Sequence, residues 1–375
     1  MARPIGAACT IGLMSGTSLD GVDACAVRFN PQPELIADSH LPMPAELGAG
    51  LRWLATGEGP APDDPIELLG RCRRDLADLY ADAIALLPAA VRAEAVCVGA
   101  HGQTIRHRPE QGFSLQILDG ARLAQHAGLP VVCDLRSADI ALGGQGAPLV
   151  PAFHLAAFGT LPGRSAVVNI GGIANVSIID AEAETVLAGF DTGPGNRLLD
   201  DWIEQTLGRP YDRDGQWSRG GCADPGLLAS LLADPYFALP APKSTGREQF
   251  HRAWLTAAIA AQERPITAVD VQATLVELTA GSIAAAIGEF AVNRVIVCGG
   301  GALNRALMDA LAAGVAPLPC MRSDQAGGIA PLAVEAMAFA WLAWRRWHGL
   351  TGTLAHATGA SRAAILGALH LPAPH

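Results

Sequence analysis

Three glycine-bearing turns and a few acidic side chains are the parts of this 375-residue sequence whose types and spacing could do chemistry. The turn Ser15-Gly16-Thr17-Ser18 lies between two apolar runs, Thr10 to Leu13 and Val22 to Phe29. A strand-turn-strand with glycine at its tip can aim several backbone N–H groups and small hydroxyls at one point, which makes an anion-binding nest. Gly16 lets the main chain approach closely, and Ser15, Thr17 and Ser18 add donors. Asp20 and Asp23 follow within reach of a metal that would offset phosphate charge. A tight turn with two solvated or capping aspartates explains the same residues. The device recurs where Ala166 to Ile170 leads into Gly171-Gly172 and a second apolar run, Val176 to Ile179. A third strand, Arg294 to Cys298, ends in Gly299-Gly300-Gly301 and opens a helix from about Ala302, where close helix–strand packing would also ask for glycine. Asp191 follows the strand-like Val186 to Phe190 and precedes Gly193-Pro194-Gly195 with a helix behind it, a setting that projects a carboxylate near a helix N-terminus. Glu335 is the only charge between Leu332 and Trp344, and a buried carboxylate must be paired or used.

The elements that must position these residues alternate in α/β fashion. Between the two hairpins, periodicity predicts helices at about 65–87 and 119–127 and strands near 94–99 and 130–133. After the second hairpin come helices near 195–207, 266–288 and 330–347. Half the residues are apolar and 17% are charged, enough for two packed cores. The division is expected near 130 to 150, where Gly143-Gly144-Gln145-Gly146-Ala147-Pro148 forms a glycine-rich connection. It separates an N-terminal domain, 1–130, from a C-terminal domain, 131–347, with 348–375 a candidate to complete the first. The hairpins then sit on opposite domains and face one cleft.

Composition excludes several classes of function. A net charge of -10 offers no basic patch for nucleic acid or an anionic membrane, so nucleotide phosphates would have to be met by backbone N–H groups and a metal. The eight cysteines stand singly, without C-x-x-C or zinc spacing, and read as reduced, mostly buried thiols of a cytoplasmic protein. No apolar run before Ser15 is long enough for a signal peptide, and Leu332 to Trp344 is too short to cross a bilayer. The apolar helices near 266–288 and 330–347 are candidates for pairing two subunits, although burial within one chain explains them equally well. Neither G-x-x-x-x-G-K-[ST] nor a Rossmann G-x-G-x-x-G occurs in its strand–helix context.

The order of hairpin, long insertion, hairpin and glycine turn resembles the actin/Hsp70/sugar-kinase superfamily. That resemblance implies a two-domain actin-like ATPase (ribonuclease H-like) α/β fold with ATP clamped in a cleft between the domains. A narrower resemblance rests on Ile11-Gly12-Leu13-Met14-Ser15-Gly16-Thr17-Ser18-Leu19-Asp20-Gly21-Val22-Asp23, His101-Gly102-Gln103-Thr104, the stretch 134–153, Asn169-Ile170-Gly171-Gly172, Phe190-Asp191-Thr192-Gly193-Pro194-Gly195-Asn196, Pro242-Lys243-Ser244-Thr245-Gly246-Arg247-Glu248, Cys298-Gly299-Gly300-Gly301 and Thr358-Gly359-Ala360-Ser361. In order and over essentially the whole chain, these resemble the anhydro-N-acetylmuramic acid kinases.

The resemblance implies conversion of 1,6-anhydro-N-acetylmuramic acid, ATP and water to N-acetylmuramic acid 6-phosphate and ADP, in recycling of peptidoglycan in the cytoplasm. The nucleotide, with Mg²⁺, is assigned to Gly16, Thr17, Ser18, Leu19, Asp20, Gly21, Val22, Asp23, Gly171, Gly172, Gly299, Gly300 and Gly301. Met14 and Asn169 stand where sugar kinases at large carry Asp, which leaves the metal ligands open. In an anhydro bridge O6 bears no proton, so water must add at C1 as O6 leaves toward phosphorus, and a carboxylate beside C1 can take the proton from that water. Asp191 is assigned this role. Thr17, His101, Thr104, Arg136 and Glu335 are expected on the sugar, Arg136 because a guanidinium suits the lactyl carboxylate. Lys243 and Arg247 lie in a motif to which the sequence gives no role. At Leu332 and Ala333 the chain is apolar where the family pattern leads one to expect an Asp.

Overall fold

A computed structural model describes residues 9–374 apart from 17, 31, 58, 247 and 248. The chain forms two compact units: residues up to Ala157 together with those from Ala333 on, and Phe158–Leu332.

In the first unit Cys9–Met14 and Gly21–Phe29 form the expected hairpin, and Pro33–Pro42 continues it antiparallel. On the other side of Cys9–Met14, Ala95–Ala100 and then Val131–Cys133 run parallel, and Ala368–His370 closes the edge antiparallel. The helix Pro65–Ala85 starts on Asp64, whose carboxylate accepts from the N–H groups of Ile66 and Glu67, with Pro65 at the first helical position. The helix Val334–Trp347 lies directly on the sheet. A Cβ on Gly12 would stand 1.8 Å from the Ala336 carbonyl oxygen, and one on Gly99 2.0 Å from that of Phe339. The alanines of this helix and the glycines of those strands are therefore one packing solution, with backbone against backbone.

In the second unit Arg164–Ile170, Ile173–Asp180 and Thr185–Pro194 form an antiparallel meander, and Arg294–Cys298 and Cys320–Arg322 follow parallel to the first strand. Its sheet order is third, second, first, fourth, fifth, the order that the first unit also shows before its extra edge strand. The helix Ala268–Gly288 is the one described helix long and apolar enough to span a membrane, yet 67% of its apolar window is buried inside this core.

The division differs from the expected one at 130/131 and 347/348. Val131–Cys133 pairs with Ala95–Ala100, so cutting before it would split a sheet, and Val334–Trp347 covers the first sheet. The glycine-rich stretch 143–148 is accordingly no connection between units. Asp139, fully buried, accepts from the Gly146 N–H at 2.7 Å and from the Thr358 hydroxyl at 2.7 Å, tying that stretch to the Thr358–Ser361 motif. Of the eight cysteines, all free thiols, only Cys222 is exposed and Cys320 half-buried.

Candidate functional site

Asp191 lies on the edge strand Thr185–Pro194, where pairing slips between Asp191 and Gly193 and Thr192 becomes the extra residue. A bulge there turns the strand locally and re-aims its side chains. Every polar part of Asp191 is then fastened by the segment 236–245. Its N–H donates to the Lys243 carbonyl at 3.0 Å, its carbonyl accepts from the Tyr236 hydroxyl at 2.8 Å, and its carboxylate accepts from the Thr245 N–H at 3.0 Å. The carboxylate does not cap the helix Arg197–Leu207, whose start is residue Asn196. Desolvation dominates its titration: burial raises the carboxyl to about 6 against the opposing pull of the Thr245 N–H. One hydrogen bond from a neutral amide is too little to offset lost hydration. The outcome is a carboxylate that is mostly ionised at neutral pH and basic enough to take a proton.

The segment that grips Asp191 has its own anchor. Asp234 accepts from the Tyr236 N–H, from the Gln249 amide and from the Trp254 indole N–H, beneath edge-on packing of Tyr236, Phe250 and Trp254. Lys243 donates to the carbonyls of Tyr236 and Phe237, each at 3.2 Å, and its ammonium stands 4.8 Å from the centre of the Tyr236 ring. None of Tyr236, Thr245 and Asp234 was expected. A main-chain N–H bears no residue-type signature, and Thr245 lies 54 positions from its partner. Arg247 lies outside the described residues.

The turn Gly171-Gly172 is fixed by the start of the helix Arg197–Leu207. The Gly171 carbonyl accepts from Asn196 N–H at 2.8 Å, and the Gly172 carbonyl from Gly195 and Arg197 N–H at 3.0 and 3.2 Å. A trans peptide sets its C=O and N–H on opposite sides. The N–H groups of Gly172 and Ile173 therefore point away from that helix together, the pattern an anion nest needs. Gly195 is required here, because its Cβ would meet the Gly171 oxygen at 2.2 Å. In the third turn, a Cβ on Gly299 would meet Asn169 Oδ1 at 2.4 Å and one on Gly301 would meet Ile170 Cγ2 at 2.3 Å, so close packing by itself asks for these two glycines. Gly300 is exposed, and a cavity of about 230 Å³ lined by Ala302, Leu303, Arg305 and Arg322 opens just beyond it.

The first turn is more committed than its residue types suggest. Ser15 is buried and its hydroxyl is spent on Tyr80 at 2.8 Å, so it adds no donor to a nest. Gly16 is half-buried, Leu19 takes a positive φ of 59°, and Ser18 donates to Asp20 at 2.7 Å. Asp23 faces His40 Nδ1 at 2.8 Å, with Val22 buried beside it and the His40 ring lying over the Gly21 backbone. Thr17 lies outside the described residues. No group of three or more metal-ligating side chains occurs among the described residues.

His101 and Arg136 meet in the first unit. Arg136 Nη2 donates to His101 Nε2 at 2.9 Å, and its Nη1 donates to the Gly146 carbonyl at 2.7 Å. A guanidinium can only donate, so His101 accepts at Nε2 and carries its proton on Nδ1. Burial first, and the Arg136 charge second, push His101 down to about 3 and keep it neutral. Burial also lowers Arg136 to about 10, and Glu335 opposes this. Glu335 sits in the first turn of Val334–Trp347, where the helix dipole favours a carboxylate. Thr104 accepts from the Gln116 amide at 3.1 Å across the hairpin Gln103–Arg108/Phe113–Ile117. Buried atoms left without a hydrogen-bond partner include His101 Nδ1, Arg136 Nε, Gln103 Oε1 and Gln116 Oε1. Each would cost about 1–3 kcal/mol if it stayed unsatisfied, so their presence around the expected sugar residues asks for a polar ligand or water. Gln116 had no signal in the sequence. A lone glutamine on a short hairpin is usually surface. The apolar Leu332 is exposed and Ala333 is buried beneath Cys25, whose thiol faces its carbonyl.

Two units, each a three-stranded meander continued by parallel strands, and each with a turn at its first hairpin, define the actin-like ATPase fold. The family model for anhydro-N-acetylmuramic acid kinase matches residues 8–372. The anhydro-N-acetylmuramic acid kinase of Shewanella sp. (strain ANA-3) is 47% identical over 364 residues, covering 95% of this chain and 97% of the relative. That of Shewanella frigidimarina is 48% identical over 365 residues, covering 95% and 96%. Among solved structures, the chain is similar to component A of Acidaminococcus fermentans (R)-2-hydroxyglutaryl-CoA dehydratase, with TM-score 0.48 and 14% identity over 90% of this chain and 98% of that one. The chain belongs to the anhydro-N-acetylmuramic acid kinase family.

Proposed function

We propose that this protein is an ATP-dependent kinase that opens 1,6-anhydro-N-acetylmuramic acid with water and phosphorylates O6, giving N-acetylmuramic acid 6-phosphate and ADP, in cytoplasmic peptidoglycan recycling. The observation that carries the reading is Asp191, a carboxylate fastened at both main-chain atoms and raised to about 6 by burial. In the ionised form it takes a proton from the water that adds at C1. The C1–O6 bond breaks as that C–O bond forms, and O6 takes the γ-phosphoryl group, with its charge passing to ADP. One base thus serves both bond changes.

The phosphates are assigned to the main-chain N–H groups beyond Gly171 and to the turn Gly16–Asp23, and the adenosine end to Gly299, Gly300 and Gly301. Phosphoryl transfer asks chiefly for positioning and charge neutralisation. Magnesium needs few protein carboxylates when phosphates and water fill its shell. Asp20, exposed, and Asp23 suit that part, and the ion would supply charge neutralisation at the phosphates. The sugar is assigned to His101, Thr104, Arg136 and Glu335, with Thr17 from the first turn. Arg136, charged and short of partners, is directed to the lactyl carboxylate, and His101 Nδ1–H to an uncharged oxygen.

The test is mass analysis of products formed from ATP, Mg²⁺ and 1,6-anhydro-N-acetylmuramic acid in ¹⁸O-labelled water. The reading requires one label at C1 and none in the phosphate. Phosphorylation of the open sugar alone, or an unlabelled C1, rejects it.

A further inference from the structure

We propose that Lys243 is a positioning residue for Asp191, holding the segment 236–245 so that the Thr245 N–H stays on the carboxylate. This rests on the reading of Asp191 as the base. The side chain of Lys243 does not itself reach the carboxylate. Its ammonium is turned the other way, onto the carbonyls of Tyr236 and Phe237 at 3.2 Å and over the Tyr236 ring. Its main chain faces Asp191, accepting from that residue's N–H at 3.0 Å. Tyr236, beneath the ammonium, donates its hydroxyl to the Asp191 carbonyl at 2.8 Å, and Thr245, two residues on, donates to Asp191 Oδ2 at 3.0 Å. One lysine therefore closes a ring in which both ends of the segment touch Asp191.

The residue type fits this task. An ammonium has three donors, and two carbonyls and an aromatic face use them, whereas an apolar side chain of equal length would fill the space without fixing the carbonyls. The cost of half-burying a cation argues against a mere filler: desolvation lowers Lys243, and the charge of Glu289 opposes it. Among the described residues, the titratable groups around Asp191 are Tyr236 and Lys243, with Glu289 acting on Lys243. At neutral pH the tyrosine, pushed up by burial, is uncharged, so Asp191 is the group near neutrality in this cluster.

Lys243→Met, Lys243→Gln and Asp191→Asn in the full chain test the assignment through pH profiles of kcat, both KM values and thermal melting. Releasing the segment loosens the Thr245 N–H, a bond that favours the ionised carboxylate, so the acidic limb of kcat should move up by about half a pH unit to one pH unit. A fall in kcat at pH 7 of about tenfold should accompany it, with KM for ATP and sugar within about twofold, as misplacement of a reacting group predicts. Lys243→Gln, which keeps a donor, should lie between native and Lys243→Met and covers the case in which the methionine variant does not fold. If Asp191→Asn is inactive while both lysine variants keep the native limb, with or without a lower melting temperature, the assignment of Lys243 is overturned and that of Asp191 stands. If Asp191→Asn keeps its activity, the base reading falls and Lys243 has nothing to position.

Discussion

Asp191 and Arg136 are charged groups of opposite sign, both drawn out of water, and they respond differently. Burial lifts the Asp191 carboxyl to about 6, close to neutrality, while it lowers the Arg136 guanidinium only to about 10. The carboxylate can therefore change its protonation state under working conditions, and the guanidinium cannot. Their fastening differs in the same sense. Asp191 is clamped at its main chain and, among the described residues, its carboxylate keeps a single N–H partner, an arrangement for fixed placement with room to accept a proton. Arg136 spends two donors on His101 and Gly146 and leaves Nε buried without a partner, an arrangement that awaits an acceptor. The proposed proton acceptor and the proposed anion receptor are thus told apart by what burial does to each.

The comparison breaks first at Asp191. Asp191→Asn keeps the shape and the Thr245 contact but cannot take a proton, so kcat should fall by about 10³-fold while ATP binding by calorimetry stays near native. Loss of binding in step with turnover would make Asp191 a ligand-binding residue and not a base. The native pH profile sharpens the same point. A base works ionised, so kcat should be flat above about pH 7 and fall toward tenfold per pH unit below about pH 6, the value to which burial raises the carboxyl. A limb near pH 4 would mean the carboxylate is not desolvated in the working enzyme.

Arg136 should give a smaller and different effect. Arg136→Met removes a charge-assisted contact without touching the reacting atoms, so KM for the sugar should rise roughly 10- to 100-fold with kcat within a few-fold. The native enzyme should prefer 1,6-anhydro-N-acetylmuramic acid over 1,6-anhydro-N-acetylglucosamine, which lacks the lactyl group, and the variant should lose most of that preference. A variant that still discriminates would place the lactyl carboxylate elsewhere.

Much of this was legible in the residues themselves. Both hairpins, the Arg294–Cys298 strand and the main helices announce themselves through apolar runs and glycine, because a sheet strand and a tight turn each restrict residue type locally. The division between units was not legible, since it depends on which strands pair, and Val131–Cys133 looks the same whichever sheet it joins. Ser15 looked like a phosphate donor because a hydroxyl in a glycine turn carries no mark of the buried tyrosine, 65 positions away, that occupies it. The grip on Asp191 was hidden for the same reason: it is made largely of main-chain groups, whose direction is set by the fold.

The smallest expected effect concerns stability, and its sign follows from the raised carboxyl. The unfolded Asp191 ionises near 3.8 and the folded one near 6. Below about pH 4 the group is neutral in both states and contributes no penalty. As pH rises through about 6 the folded protein must hold a charge where hydration is poor, so stability present in acid is lost, and the full cost is felt above about pH 7. The gap between the folded and unfolded carboxyl corresponds to about 2 kcal/mol once the partial exposure of the side chain is allowed for. Asp191→Asn escapes that cost while its amide oxygen still accepts from Thr245. It should therefore be more stable than the native protein by about 2 kcal/mol in urea unfolding at pH 8, and the gain should vanish near pH 4. A gain that does not change with pH would trace to packing, and the contrast with Arg136, charged at both pH values, would then lose its electrostatic basis.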